Sequence, residues 1–193
     1  MLPWLVVLKI SASFILGAVP FAVIAVWGTG IDITRAGSGN PGFNNVLRVS
    51  SRWRAVFALI GDLSKGAAAV AILSAASDPV WFRWSLGLAA VAGHCWTPFL
   101  TFKGGKGVAT MAGALLYLDL QVTGICLILY PTLRLFGRRM GWAQEGAIAS
   151  MTTMSVIAGT ILTLRGIEAG AFAFLALAIV ILRHSPNIHQ LFK

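Results

Sequence analysis

Residues 108–136 read VATMAGALLYLDLQVTGICLILYPTLRLF, an apolar stretch that holds one acid, Asp119, and one base, Arg134. How often it crosses a bilayer decides the topology of the whole chain. A membrane-spanning helix needs about 20 mostly apolar residues, and the runs 4–27, 55–76, 84–101, 146–164 and 167–183 answer to that description. If residues 108–136 crossed once, the basic loop Arg134, Arg138 and Arg139 would face away from the basic loop between Arg35 and Arg54. Lys and Arg in short loops collect on the cytoplasmic side, which disfavours that arrangement. Division at Leu118-Asp119 gives a short helix and a second one from Leu120 to Phe136, and the parity is repaired.

The loops then sort by charge. Arg35, Arg48, Arg52, Arg54, Lys103, Lys106, Arg134, Arg138, Arg139, Arg183 and Lys193 fall on one side, and only Arg83 and Arg165 fall on the other. Lys9 and Lys65 sit inside helices. This sorting predicts seven helices with the N-terminus outside and the C-terminus in the cytoplasm. The first run carries Pro3, Trp4 and the single base Lys9, so it reads as a retained helix rather than a cleaved signal peptide.

Composition supports the same class. Of 193 residues, 58% are hydrophobic and 11% charged, against about 25% charged in soluble domains, and the mean hydropathy is +0.83. So much apolar surface exceeds what one small soluble core can hide, and disorder requires the opposite balance. The net charge of +9 is spread singly or in small groups between apolar runs. That pattern suits acidic ligands and anionic headgroups, and leaves no footprint for nucleic acid. Cys95 and Cys126 both lie in apolar runs, which indicates neither a disulfide framework nor a zinc site. The expectation is an all-α polytopic membrane protein forming a single domain over 1–193. It has about seven transmembrane helices, some short, with glycine-rich loops on the cytoplasmic side and a short interfacial C-terminal helix.

Polar motifs punctuate this framework. The first loop runs Gly37-Ser-Gly39-Asn40-Pro-Gly42-Phe-Asn44-Asn45-Val-Leu-Arg48. Its glycines allow backbone N–H groups to converge on an anion, Asn40, Asn44 and Asn45 add neutral donors, and Arg48 adds a planar fork suited to phosphate. Gly37-x-Gly39-x-x-Gly42 has the dinucleotide-fingerprint spacing, but it follows a membrane span instead of a strand, so that reading is rejected. The second loop, Phe102-Lys103-Gly104-Gly105-Lys106-Gly107, lacks the Ser or Thr of a Walker loop. A helix starting near Val108 would nevertheless point its positive end at the same place as Lys106. Lys103 reads as topological punctuation.

Further along, Asp62 and Lys65 share a helix face, either as a structural ion pair or as functional groups. Ser185-Pro186 starts a short helix after Arg183-His184, which puts His184 and Asn187 at the boundary that holds the basic loops. His189 reads as part of a solvated tail and His94 as a packing histidine. There is no His-x4-Asp pair, no Gly-x-Ser-x-Gly elbow and no His-Glu-x-x-His. Six carboxylates, with Asp119 and Glu168 on the far side, make a paired-carboxylate hydrolase improbable.

Gly37–Gly42 through Asn45-Val-Leu-Arg48, Phe102–Thr110, and Arg183-His184 with Asn187-Ile188 together resemble one bacterial family. This is the integral-membrane acyl phosphate:glycerol-3-phosphate acyltransferases of the PlsY type. The resemblance extends over Asp62, Lys65-Gly66 and Gly93-His94 and covers nearly the whole chain in order. It implies transfer of a fatty acyl group from acyl phosphate to the 1-hydroxyl of glycerol 3-phosphate. The product is lysophosphatidic acid, no metal or coenzyme A is required, and the site faces the cytoplasm of the bacterial inner membrane.

Carried over by position, the resemblance implies that Ser38, Gly39, Asn40, Gly42, Asn45 and Arg48 bind substrate from the first loop. Gly104, Gly105 and Lys106 would bind it from the second, and His184 and Asn187 from the last. Arg48, Lys106 and His184 carry the catalytic expectation. The chain departs from the family pattern at Asn44, at Thr101 where a glycine is usual, and at Gln144, where a serine is expected before Gly146.

Acyl phosphate is already activated, so placement and charge are the work to be done. Either His184 or the departing phosphate takes the hydroxyl proton. The alternatives are a phosphate-ester transporter, which would bring paired helix repeats and a midplane site, or a non-catalytic lipid-binding paralogue.

Overall fold

The computed structural model describes residues 2–191, and all regular structure among them is helical. The first apolar run forms α1 (Pro3–Ala18) and α2 (Phe21–Val26), separated where Val19 is extended ahead of Pro20. The break frees two carbonyls inside the protein, and each has a partner: Thr97 Oγ1 donates to Ala18 O (2.7 Å) and Lys65 Nζ to Val19 O (2.7 Å). Lys65 also pairs with Asp62 (2.8 Å). For Lys65, therefore, the structural reading of the intramembrane pair prevails.

Part of the first polar loop is not a loop. Residues 43–49 form a short helix, α3 (Phe43–Val49), with extended Gly42 before it. Then come α4 (Arg52–Leu73) and α5 (Val80–Cys95). The latter begins and ends earlier than the sequence pattern 84–101 suggests. Pro79 starts it, and extended Thr97 before Pro98 excludes a helical continuation, leaving a single 3₁₀ turn over Pro98–Leu100.

The deciding stretch divides at Asp119, as the charge argument requires. α6 (Val108–Leu118) has 11 residues, and Asp119 is extended (φ −150°, ψ 84°). Its carboxylate caps the next helix through Val122 N–H (3.1 Å) and receives Arg165 Nε (2.5 Å). α7 (Leu120–Leu127) and α8 (Leu129–Arg139) follow as one near-continuous rod, interrupted at Ile128 because the Pro131 ring conflicts with the Leu127 carbonyl. The chain ends in α9 (Glu145–Arg165), α10 (Ile167–Arg183) and the short α11 (Ser185–Leu191). Among the described residues, Pro3–Val26, Arg52–Leu73, Leu120–Arg139 and Glu145–Arg165 are long and apolar enough to cross a membrane. α5 and α10, at 16 and 17 residues, are somewhat short, and α6 is far short.

Glycine brings the helices together in two reciprocal pairs. A Cβ on Gly17 would collide with Ala90 O and one on Gly93 with Phe14 O, which locks α1 to α5. Likewise Gly66 lies against Thr110 O and Gly113 against Leu63 O, which locks α4 to α6. In lipid, where no hydrophobic effect drives helices together, such close backbone approach supplies the packing. Ser13 Oγ adds a hydrogen bond to Leu86 O across the first pair (2.6 Å). Gly113→Ala should therefore lower stability by about 1–3 kcal/mol through overpacking. Gly159→Ala in α9, with nothing within 4 Å of the new methyl, should be neutral or stabilising by up to about 1 kcal/mol. Thermal unfolding of both variants in detergent checks the contrast.

Candidate functional site

The three polar segments converge on one cavity of about 820 Å³, which Ser38, Arg48, Lys106, His184 and Asn187 all line. Its floor includes Asp62 and His94, and its wall toward α9 includes Tyr130, Arg134 and Gln144.

The first loop is organised by Asn45, which is 2% exposed. Its amide is fully committed: Oδ1 accepts from Ser38 N–H (2.9 Å), and Nδ2 donates to Ile33 O (3.2 Å) and Ala36 O (2.9 Å). Gly37 and Gly39 take φ of 60° and 68°, and a Cβ on Gly37 would strike the Asn45 amide. The N–H groups of Gly39 and Gly42 bond Ala36 O (3.0 Å) and Asn40 O (2.9 Å). The expectation that these glycine amides converge on an anion is thus corrected. They shape the loop, Asn45 latches it, and the side chains of Ser38, Asn40 and Arg48 remain to face the cavity.

The second loop tells the same story. Gly104 N–H bonds Cys95 O (3.1 Å) and Gly105 N–H bonds His94 O (3.1 Å). Their carbonyls are held by Arg183, whose NH2 reaches Gly104 O (2.7 Å) and whose Nε reaches Gly105 O (3.0 Å). A Cβ on Gly104 would meet the end of α5, and one on Gly105 would meet the His94 ring. Both glycines thus serve close packing rather than direct anion contact. What the loop offers is Lys106 and the first turn of α6, whose leading N–H groups have no helical acceptor. Thr101 (φ 49°) and Phe102 (φ 61°) enter this loop in the left-handed region. This explains why a glycine suits position 101.

Lys106 is half-buried and donates to Asn187 Oδ1. Burial, with Arg183 and Arg48 nearby, pushes its pKa down to about 8. His184 is 3% exposed and closes α10, with Nδ1 on Val180 O (2.8 Å). That bond assigns the proton to Nδ1 and leaves Nε2 as an acceptor. Burial holds the imidazole down at about 4, with a smaller downward push from Lys106 against the upward pull of the Val180 bond. Near neutral pH the site therefore presents a neutral imidazole beside a cluster of cations.

Sequence reasoning gave Arg183 no role, although it adjoins His184, and left Gln144 without one. Gln144 Oε1 accepts from Asn187 Nδ2 (2.6 Å), and its Nε2 donates to Gln190 Oε1 (2.5 Å). Arg134 joins Tyr130 OH (3.2 Å) and approaches Glu145 (3.7 Å), which also binds Arg138 (3.2 Å). His94 approaches Asp62 at 3.4 Å beneath the glycine loop. Where the sequence suggested only packing, the ring thus meets a carboxylate and lines the cavity.

Comparison with known proteins gives a consistent result. A sequence profile of the family described as glycerol-3-phosphate acyltransferase matches residues 7–193. A glycerol-3-phosphate acyltransferase of Neisseria meningitidis serogroup A is 36% identical over 190 residues, covering 95% of this chain and 92% of its own. The Laribacter hongkongensis relative of the same name is 36% identical over 190 residues, with coverages of 93% and 89%. Two crystal structures of PlsY (YgiH), an integral membrane glycerol 3-phosphate acyltransferase, superpose on it. The glycerol 3-phosphate form has a TM-score of 0.86 at 27% identity, covering 97% of this chain and 92% of that one. The lysophosphatidic acid form has 0.84 at 27% identity, with 97% and 91% covered. On its sequence, its fold and the polar residues its loops bring together, this chain belongs to the glycerol-3-phosphate acyltransferase family.

Proposed function

We propose that this protein transfers a fatty acyl group from acyl phosphate to the 1-hydroxyl of glycerol 3-phosphate, releasing phosphate and lysophosphatidic acid. The reaction takes place in a single multi-pass domain of the bacterial inner membrane, at a site facing the cytoplasm. The observation that carries the reading is the juxtaposition of Arg48, Lys106 and the open end of α6 with the neutral imidazole of His184 in one cavity. Two phosphate groups must approach each other in this reaction. Fixed cations and helix-end N–H groups offset that repulsion without reorganising as charge moves.

The glycerol hydroxyl oxygen attacks the acyl carbonyl carbon, the bond from that carbon to the phosphate oxygen breaks, and phosphate leaves. The hydroxyl proton has two candidate acceptors. An imidazole held at about 4 is a weaker base than a phosphate whose second ionisation lies near 6. The departing phosphate therefore takes the 1-hydroxyl proton, and His184 Nε2 positions the acyl acceptor by accepting a hydrogen bond from its neighbouring 2-hydroxyl. No covalent enzyme intermediate is needed, because the donor is already activated.

Purified protein given palmitoyl phosphate and glycerol 3-phosphate should release inorganic phosphate, with chelator present and without coenzyme A. A requirement for acyl coenzyme A would overturn the donor assignment. Arg48→Lys and Lys106→Met should each lower kcat/KM by about 10- to 150-fold, the worth of one charge-assisted hydrogen bond. Near-normal turnover would return both bases to a topological role.

The pH profile of kcat/KM gives the signs separately. Lys106 is charged below about 8, so the rate should fall as pH rises through 8, and Lys106→Arg should remove that limb. If His184 were the base, activity would survive down to about pH 4. With phosphate as acceptor, it should fall near pH 6 in wild type and His184→Asn alike.

The orientation is checked by labelling in a cysteine-free background. Arg138→Cys, on the α8 side of the cavity, should react from the cytoplasm and Asp78→Cys, between α4 and α5, from outside. Labelling of both positions from outside would restore the six-helix arrangement, in which residues 108–136 cross once.

A further inference from the structure

Gln144 stands at the start of α9 with φ 58° and ψ 34°. It is one of three non-glycine residues with positive φ among the described residues, and the other two enter the Lys106 loop. Backbone of this kind is strained and persists only where the surroundings enforce it. Its side chain supplies the reason. An ammonium has donors only, so Asn187 must turn Oδ1 toward Lys106. That orientation leaves Asn187 Nδ2 needing an acceptor, which Gln144 Oε1 provides at 2.6 Å. Gln144 Nε2 then passes the same polarity to Gln190 Oε1 at 2.5 Å. Every acceptor in the relay points toward Lys106, and the relay occupies one ammonium hydrogen while leaving two for substrate.

We infer that Gln144 is a positioning residue for acyl transfer: it fixes the Asn187 amide, and through it the Lys106 ammonium, for binding glycerol 3-phosphate. This rests on the acyltransferase reading above and names a residue through which that site is tuned. The other charged or titratable groups lining the cavity with Lys106 are Arg48 from α3, Asp62 from α4, His94 from α5, Lys103 from its own loop, Tyr130 and Arg134 from α8, Glu145 from α9, and Arg183 and His184 at the end of α10. Among these surroundings the Asn187 oxygen is a neutral acceptor in direct contact with the ammonium. Releasing it should move the titration of Lys106 downward.

Steady-state kinetics with palmitoyl phosphate and glycerol 3-phosphate test the inference. Gln144→Met should raise KM for glycerol 3-phosphate about 3- to 10-fold, the worth of one net hydrogen bond, with kcat within about twofold. It should also shift the basic limb of kcat/KM below that of the wild type. Gln144→Glu keeps an acceptor for Asn187, so it should restore KM and carry the limb above the wild-type position. Gln144→Asn tolerates the left-handed backbone but falls one methylene short, so it should behave as Gln144→Met even if the latter folds poorly. Because the effect runs through Asn187, Gln144→Met added to Asn187→Ala should change KM by less than about twofold. Wild-type KM and an unmoved limb in Gln144→Met and Gln144→Asn would overturn the inference and leave the function intact. Full additivity with Asn187→Ala would also overturn it. A wild-type protein without turnover would overturn both.

Discussion

A helix of 11 residues rises about 16 Å, roughly half of a hydrocarbon layer about 30 Å thick, and the arrangement of this protein follows from how α6 meets that shortfall. Its far end is tied to α9 by the Asp119–Arg165 pair and its flank to α4 by glycine contacts, so its N-terminus is held inside the helix bundle. The polar loop leading to it must enter with it. Irregular backbone is tolerated inside a membrane only where protein buries it or water lines it. Here both conditions are met: Arg183, His94 O and Cys95 O saturate Gly104 and Gly105, and the cavity opens above Lys106. The polar cavity and the short helix are thus two aspects of one geometric constraint.

Charge in the protein divides into groups spent on structure and groups left facing the cavity. Lys65 neutralises Asp62 and closes the gap that Pro20 opens, so an intramembrane base becomes part of the scaffold. Arg183 spends its fork on two carbonyls, and Arg54 donates to Ala25 O at the end of α2 (2.5 Å). Arg48 and Lys106 keep donors toward the cavity, with Lys106 held close to its titration range by burial and, less strongly, by the like charges of Arg183 and Arg48. Breaking a buried ionic contact strands the partner in low dielectric. The scaffold cations are therefore as consequential as those that face the cavity.

Much of this was legible in the sequence. The parity of basic loops located the division at Asp119, and the last apolar run 167–183 coincides with α10. The order of the three polar motifs was sufficient to name the family. What composition cannot express is where a glycine's freedom is used. The glycines at 39, 42, 104 and 105 read as anion ligands, yet their N–H groups are bonded to backbone carbonyls in the folded chain. Residues 43–49 read as loop because a short helix beside a glycine cap carries too little apolar periodicity to be seen. Gln144 read only as a departure, since its partners, Asn187 and Gln190, are distant in sequence and carry no motif that pairs them with it.

The reciprocal glycine contacts also limit the routes by which this fold can vary. When two side chains press together in a core, enlargement of one can be offset by trimming the other. At Gly17, Gly66, Gly93 and Gly113 the opposing atoms are main-chain carbonyls of Ala90, Thr110, Phe14 and Leu63. Nothing there can be trimmed. Genetic suppressors of a substitution at these positions must act by displacing a whole helix, and for α6 such a displacement carries Val108, Ala109 and Ala112 of the cavity lining with it.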